Sequence, residues 1–127
     1  MSKDKDSARK FDLDQRLEDF GVRIAKIVEA LPSTKLGNYF GNQLVRSGFS
    51  PSLNYSEAQS AESRRDFVHK LKIVLKELRE TLKSLKLIYR LNLAAEEKIA
   101  PVVKESNELI SIFVKSVETA QKGKTNR

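Results

Sequence analysis

Six basic residues, Lys72, Lys76, Arg79, Lys83, Lys86 and Arg90, follow one another at intervals of 4, 3, 4, 3 and 4. On a helix this spacing puts all six on one face, over about 27 Å at 1.5 Å per residue. Such a row can neutralise several phosphates and release their condensed counterions, which is the chemistry of salt-sensitive nucleic-acid binding. The competing reading is a solvated face. Its cations would pair with Glu77 and Glu80, or with Asp14, Glu18 and Asp19 of a neighbouring helix. The net charge of +7 is unevenly spread: residues 63–92 hold +6 and the tail 122–127, with Lys122, Lys124 and Arg127, holds +3, while residues 93–121 hold −2. The excess therefore belongs to the row and the tail.

Other chemistries find less support. His69 follows Asp66 by three residues, a fragment of a di-iron bundle motif, but the chain has no second histidine to complete it. No nucleophile or carboxylate stands at a spacing that would make His69 catalytic, so neither a metal, a cofactor nor enzymatic activity is expected. Cysteine is absent, which excludes thiolate ligands, disulfides and a Cys nucleophile. Tyr39, Phe40, Phe49, Tyr55 and Tyr89 are the aromatic side chains available to stack on bases, yet most fall at core-like spacings. Gly37 and Gly41 suit a close helix approach and lack the lysine of a phosphate loop.

The elements that must carry these residues are helical. Leu13, Leu17, Phe20, Ile24, Ile27 and Leu31 form the seam of a first helix, ended by Pro32. A second, capped by Ser33 or Thr34, runs over 34–47 with Leu36, Phe40, Leu44 and Val45 inward. The third, about 63–92, carries the stripe Phe67, Leu71, Val74, Leu78, Leu82, Leu85 and Tyr89. Val68, Leu75, Leu82 and Tyr89 add a second apolar row, which a single bundle does not need; we expect another subunit to cover it. The fourth, about 96–121, buries Ile99, Val103, Ile110, Phe113 and Val117, with Pro101 in its first turn.

These segments define an all-α, up-down-up-down four-helix bundle over 13–121, with a flexible polar N-terminus at 1–12 and a disordered basic tail at 122–127. Hydrophobic residues at 39% exceed what a disordered chain carries. No apolar run reaches the ~18 residues of a membrane span, and no secretory signal opens the chain, so a cytoplasmic location is expected.

Between the second and third helices, residues 43–67 read QLVRSGFSPSLNYSEAQSAESRRDF. Gly48 and Pro51 weaken a helix there, yet Asn42, Gln43, Arg46, Ser47, Ser50, Asn54, Tyr55 and Glu57 recur at helical spacings. A continuing helix, kinked near 47–51, is the expectation, its polar residues holding helices or subunits in register.

The stretch from Arg46 to Thr81, RSGFSPSLNYSEAQSAESRRDFVHKLKIVLKELRET, resembles the signature of four-helix-bundle proteins encoded in intervening sequences of bacterial large-subunit ribosomal RNA genes. With DLDQRLEDFGVRIAKIVEALP and GNQLVRSG before it, the resemblance covers about residues 12–90. It implies a homopentamer with a nucleic-acid role and no catalytic residues. Related bundles accompany diversity-generating retroelements, which implies a second class of partner, a reverse transcriptase and its RNA. Spacing and resemblance together set an RNA- or DNA-binding module using Lys72, Lys76, Arg79, Lys83, Lys86 and Arg90 beside a structural adaptor, and the spacing makes Asn42, Arg46, Ser47, Asn54, Tyr55, Glu57, Val68 and Leu75 structural or interface positions.

Overall fold

The computed structural model describes the backbone of residues 2–125 and the side chains of residues 12–123. It consists of α1 (Ser2–Ala30), α2 (Lys35–Gln59), α3 (Arg64–Arg90) and α4 (Glu96–Thr125), with no strand among the described residues. Consecutive helices pack against one another and α4 returns to α1, whereas the diagonal pairs make no close backbone approach. This is an up-down-up-down four-helix bundle. The expectations for the N-terminal segment and the basic tail fall mostly on residues whose side chains lie outside those described.

Local chemistry sets the helix ends. Pro32, which has no N–H to continue the ladder, stands just beyond α1. Thr34 caps α2 by accepting from the Gly37 N–H at 3.1 Å, and Ser63 caps α3 by accepting from the Asp66 N–H at 3.0 Å. At the far end of α3, Asn92 adopts a left-handed φ of 56°. The Asn92 N–H then reaches the Tyr89 carbonyl and the Leu93 N–H the Ile88 carbonyl, both at 3.0 Å, a Schellman ending with asparagine in glycine's usual place.

The core is built from Leu17, Phe20 and Ile24 of α1, Leu44 of α2, Leu71, Val74, Leu78, Leu85 and Ile88 of α3, and Leu109 and Phe113 of α4, all almost wholly withdrawn from solvent. Tyr55 meets Phe113 edge to face, ring centroids 5.7 Å apart, and ties α2 to α4. Burial, with a smaller contribution from Asp14, pushes the Tyr55 phenol above its ordinary value.

Three details depart from the sequence reading. First, α2 continues past 47 through Pro51 to Gln59 as the polar spacing predicts, but its inward face is not the one expected. Pro51 is buried, and the helix continues into the buried Tyr55 and Ala58, so packing holds what local propensity weakens. Leu36 and Val45 are 47% and 46% exposed, because α2 turns its Gly37, Gly41, Ser47 and Gly48 face inward instead. Second, α4 buries Val102, Leu109 and Ala120, leaving Val103 and Ile110 half-buried at its flank. Pro101 is its sixth residue, in the second turn and exposed to water. Third, Tyr89 is 46% exposed rather than part of the core stripe.

Close helix approach occurs at a different glycine from those expected. A Cβ on Gly48 would stand 2.6 Å from Ile24 Cγ2 and 3.0 Å from Ile24 Cβ, so α1 and α2 nearly touch there. Gly37 instead abuts the Pro32 carbonyl in the loop, and Gly41 has room, its nearest neighbour being Val28 Cγ1 at 3.6 Å. Two alanine substitutions should accordingly have opposite signs. Gly48→Ala should destabilise by about 1–3 kcal/mol, since the branched Ile24 cannot give way without moving α1. Gly41→Ala should stabilise by up to about 1 kcal/mol through helix propensity. Urea unfolding of both variants checks the pair, and equal signs would contradict the packing.

Candidate nucleic-acid interface

Helix α3 is the straightforward carrier of a long surface row. It has no internal glycine or proline, Asp66 lies in its first turn and Arg90 in its last, as the helix dipole favours. Its buried face, Leu71, Val74, Leu78, Leu85 and Ile88, fixes its rotation about its own axis. Lys72, Lys76, Arg79, Lys83, Lys86 and Arg90 consequently all project to solvent on one outward face.

The acids near this row pair with other cations or lie on a distant helix. Arg46 of α2 donates from Nη1 to both Glu77 oxygens, at 3.0 and 3.2 Å, and from Nη2 to Glu80 Oε2 at 2.6 Å. Glu77 therefore faces α2, whereas Glu80 reaches Arg46 from the edge of the row, where it lines a surface depression with Lys72, Lys76, Arg79 and Lys83. Asp14, Glu18 and Asp19 lie on α1, diagonally across the bundle from α3. On α4, Glu105 receives two hydrogen bonds from Arg16, at 2.7 and 3.1 Å, with Glu108 3.9 Å from the same guanidinium. Among the described residues none of the six row cations forms an ion pair within 4.0 Å.

The two carboxyls at Arg46 respond differently to it. Burial pushes the Glu77 carboxyl above its ordinary value, helped by the neighbouring Glu80, and Arg46 only partly offsets this. Glu80, less buried, is held below its ordinary value chiefly by its hydrogen bond to Arg46. Beneath this cluster the Ser47 and Thr81 hydroxyls lie 2.8 Å apart, and Thr81 Oγ1 is 2.9 Å from the Glu77 carbonyl oxygen. A single hydroxyl proton cannot serve both contacts, so Thr81 donates to the carbonyl and Ser47 donates to Thr81.

Three of the polar residues singled out between 42 and 57, Arg46, Ser47 and Glu57, join α2 to α3. Arg46 and Ser47 do so as described, and Glu57 accepts from Lys70 Nζ at 2.8 Å. Asn54 Nδ2 donates within α2 to the Ser50 carbonyl and hydroxyl, at 3.0 and 2.8 Å, while Asn42 is exposed. The second apolar row of α3 is covered in part within the chain. Val68 is 8% exposed beside Gln121 of α4, and Leu75 packs against the core.

Sequence reasoning missed what lies where the row ends. Between the last turns of α3 and the first turns of α4 runs a groove of about 700 Å³, floored by Tyr89, Ile99, Ala100 and Val103. Lys86, Arg90 and Lys104 stand at it together with Glu96, Asn107 and Glu108. The available signal was the position of Tyr89 on the edge between the apolar stripe and the basic row. His69 is exposed, next to Arg65 and Lys72, and no group of three potential metal ligands gathers among the described residues.

Fold and surface together define an all-helical bundle with one cationic helix face. The chain belongs to the 23S rRNA-intervening sequence protein family, whose profile matches residues 9–115. A protein of unknown function from the S23 ribosomal protein family of Bacteroides thetaiotaomicron, known from a crystal structure, shares the fold with a TM-score of 0.77. Its sequence identity is 30%, over 83% of this chain and 97% of that one. Comparison with curated proteins gives no match.

In an Arg46→Gln variant both carboxyls should titrate at higher pH, because the guanidinium is a lowering influence on each. The stability contributed by Glu80 is present above the ordinary carboxylate value and lost as pH falls through its depressed one. The raised Glu77 has the opposite slope, losing stability as pH climbs from the ordinary value towards its raised one. Carboxyl carbon-13 titration by NMR reads both. The variant should be less stable by about 1–2 kcal/mol at neutral pH, since Glu77 is left buried without its cation.

Proposed function

We propose that this protein is a nonenzymatic, cytoplasmic nucleic-acid-binding bundle that grips the phosphates of RNA largely without reading sequence. One observation carries the reading: the six cations on α3 project outward together while Glu77 and Glu80, the two acids of α3 within the span of the row, are hydrogen-bonded to Arg46. A pre-formed cationic face of this kind does not have to break internal ion pairs before it meets phosphate. The family description names an intervening sequence of 23S rRNA, and RNA is accordingly the first nucleic acid to test. Replacing Lys76, Arg79 and Lys83 with Gln should weaken binding to unrelated RNA and DNA sequences alike, because phosphate contacts position a protein without specifying bases. The slope of log affinity against log salt should fall by about 0.9 for each duplex phosphate that is no longer neutralised. Unchanged affinity and slope in a correctly folded triple variant would remove the row from the binding site.

The proposal includes self-association, with five copies the number the resemblance implies. Support comes from α2: residues 36–56 contain a single charged residue, Arg46, and its charge is matched by Glu77 and Glu80. Tyr39, Val45, Phe49 and Leu53 of α2 are 56%, 46%, 37% and 64% exposed, and Val22 of α1 is 53% exposed. This uncharged face on a charge-rich molecule suits contact with a further protein surface. The same face favours the second reading, an adaptor whose oligomer engages a protein such as a retroelement reverse transcriptase. Leu53→Asp should shift sedimentation of the micromolar protein to a smaller species with unchanged helix content. A clean monomer before substitution would refute self-association.

A further inference from the structure

We propose that the groove between α3 and α4 is a binding site for an unpaired nucleobase, so that the protein prefers single-stranded over fully paired nucleic acid. The inference rests on the phosphate-binding reading and gives it a substrate class. Lys86 and Arg90 are both the last two members of the basic row and part of the groove lining. A strand whose phosphates follow the row is therefore led to the groove mouth, and Lys104 adds a cation from α4.

Inside, the chemistry changes from charge to apolar surface. Tyr89, 46% exposed, offers part of its ring beside Ile99, Ala100 and Val103. An aromatic ring beside aliphatic side chains is a surface on which any base can stack, whatever its identity. The groove's volume of about 700 Å³ is ample for a base and its sugar. Glu96 and Glu108 also line it, and these carboxylates disfavour a phosphate within the groove. Base inward and phosphate outward on the row is the arrangement this charge pattern favours. A duplex keeps its bases stacked and paired, so it meets the row but leaves the groove empty.

The test uses three ligands of equal length: a mixed-sequence single-stranded RNA, the same strand annealed to its complement, and an abasic oligomer that keeps the phosphates alone. The unmodified protein should bind the single strand more tightly than the abasic oligomer. Tyr89→Ala should weaken the single strand about ten-fold and leave the duplex and the abasic oligomer unchanged, whereas Tyr89→Phe should keep full affinity. The Lys76, Arg79 and Lys83 triple Gln variant should weaken all three. As a readout that needs no variant, 2-aminopurine placed in the strand should change its fluorescence on binding.

If Tyr89→Ala binds the single strand as tightly as the unmodified protein while the triple variant is weakened, the base site is overturned and the phosphate row stands. A groove that takes a peptide instead gives this same result. Equal affinity of the unmodified protein for single-stranded and abasic ligands also overturns the base site. Failure to bind any of the three overturns the phosphate reading together with it.

Discussion

The arrangement of the whole surface follows from how α2 is fastened to α3. Arg46 grips Glu77 and Glu80, and beneath them the next residues along, Ser47 and Thr81, meet in a fully buried hydroxyl pair. Apolar packing alone tolerates small rotations and slips of one helix along another. A buried hydroxyl pair does not, because a slip leaves donors and acceptors without partners. The rotation that the apolar face gives α3 is thereby locked, and with it the direction in which Lys72 to Arg90 point. The same contact that gives register also matches the two acids with a cation from α2, so packing and electrostatics have one origin.

On its other side α2 meets α1 through a different device. Where α3 is held by hydrogen bonds, α1 is admitted by the absence of a side chain: Gly48 lies under Ile24, and Gly21 lies under Phe49. A helix with glycine, serine and proline at its centre is weak by itself, and its stability is supplied by the neighbours those residues allow to come close. The composition that looks unfavourable along the chain is favourable across it. It also leaves the outer surface of α2 short of charge, since the residues there serve neither water nor the core.

The apolar period of each helix was legible because burial in a bundle repeats every three to four residues; Leu17, Phe20, Ile24 and Ile27 lie in the core as their spacing predicts. Thr34 as a cap was legible for an equally local reason. The length of α2 was harder, as Pro51 and Gly48 carry a local meaning that three-dimensional packing overrides. Whether Glu77 and Glu80 neutralise the row or turn from it could not be read along one helix. The answer depends on Arg46, 31 residues away from Glu77 and on another element. The groove at Tyr89 was invisible for a related reason: it exists only between two helices, and its floor is shared by residues 10 or more positions apart.

The bond between Arg16 and Glu105 spans 89 residues, far more than the other cross-helix polar contacts, and it lies in the helix pair with the sparsest packing among the described residues. Every other helix–helix seam joins neighbours in the chain and closes a short loop. The α1–α4 seam brings together the most distant parts of the chain, at the greatest cost in loop entropy and for the smallest packing return. In kinetic terms the molecule is a strip of three hairpins rolled into a tube, and this seam is the edge expected to seal last and part first.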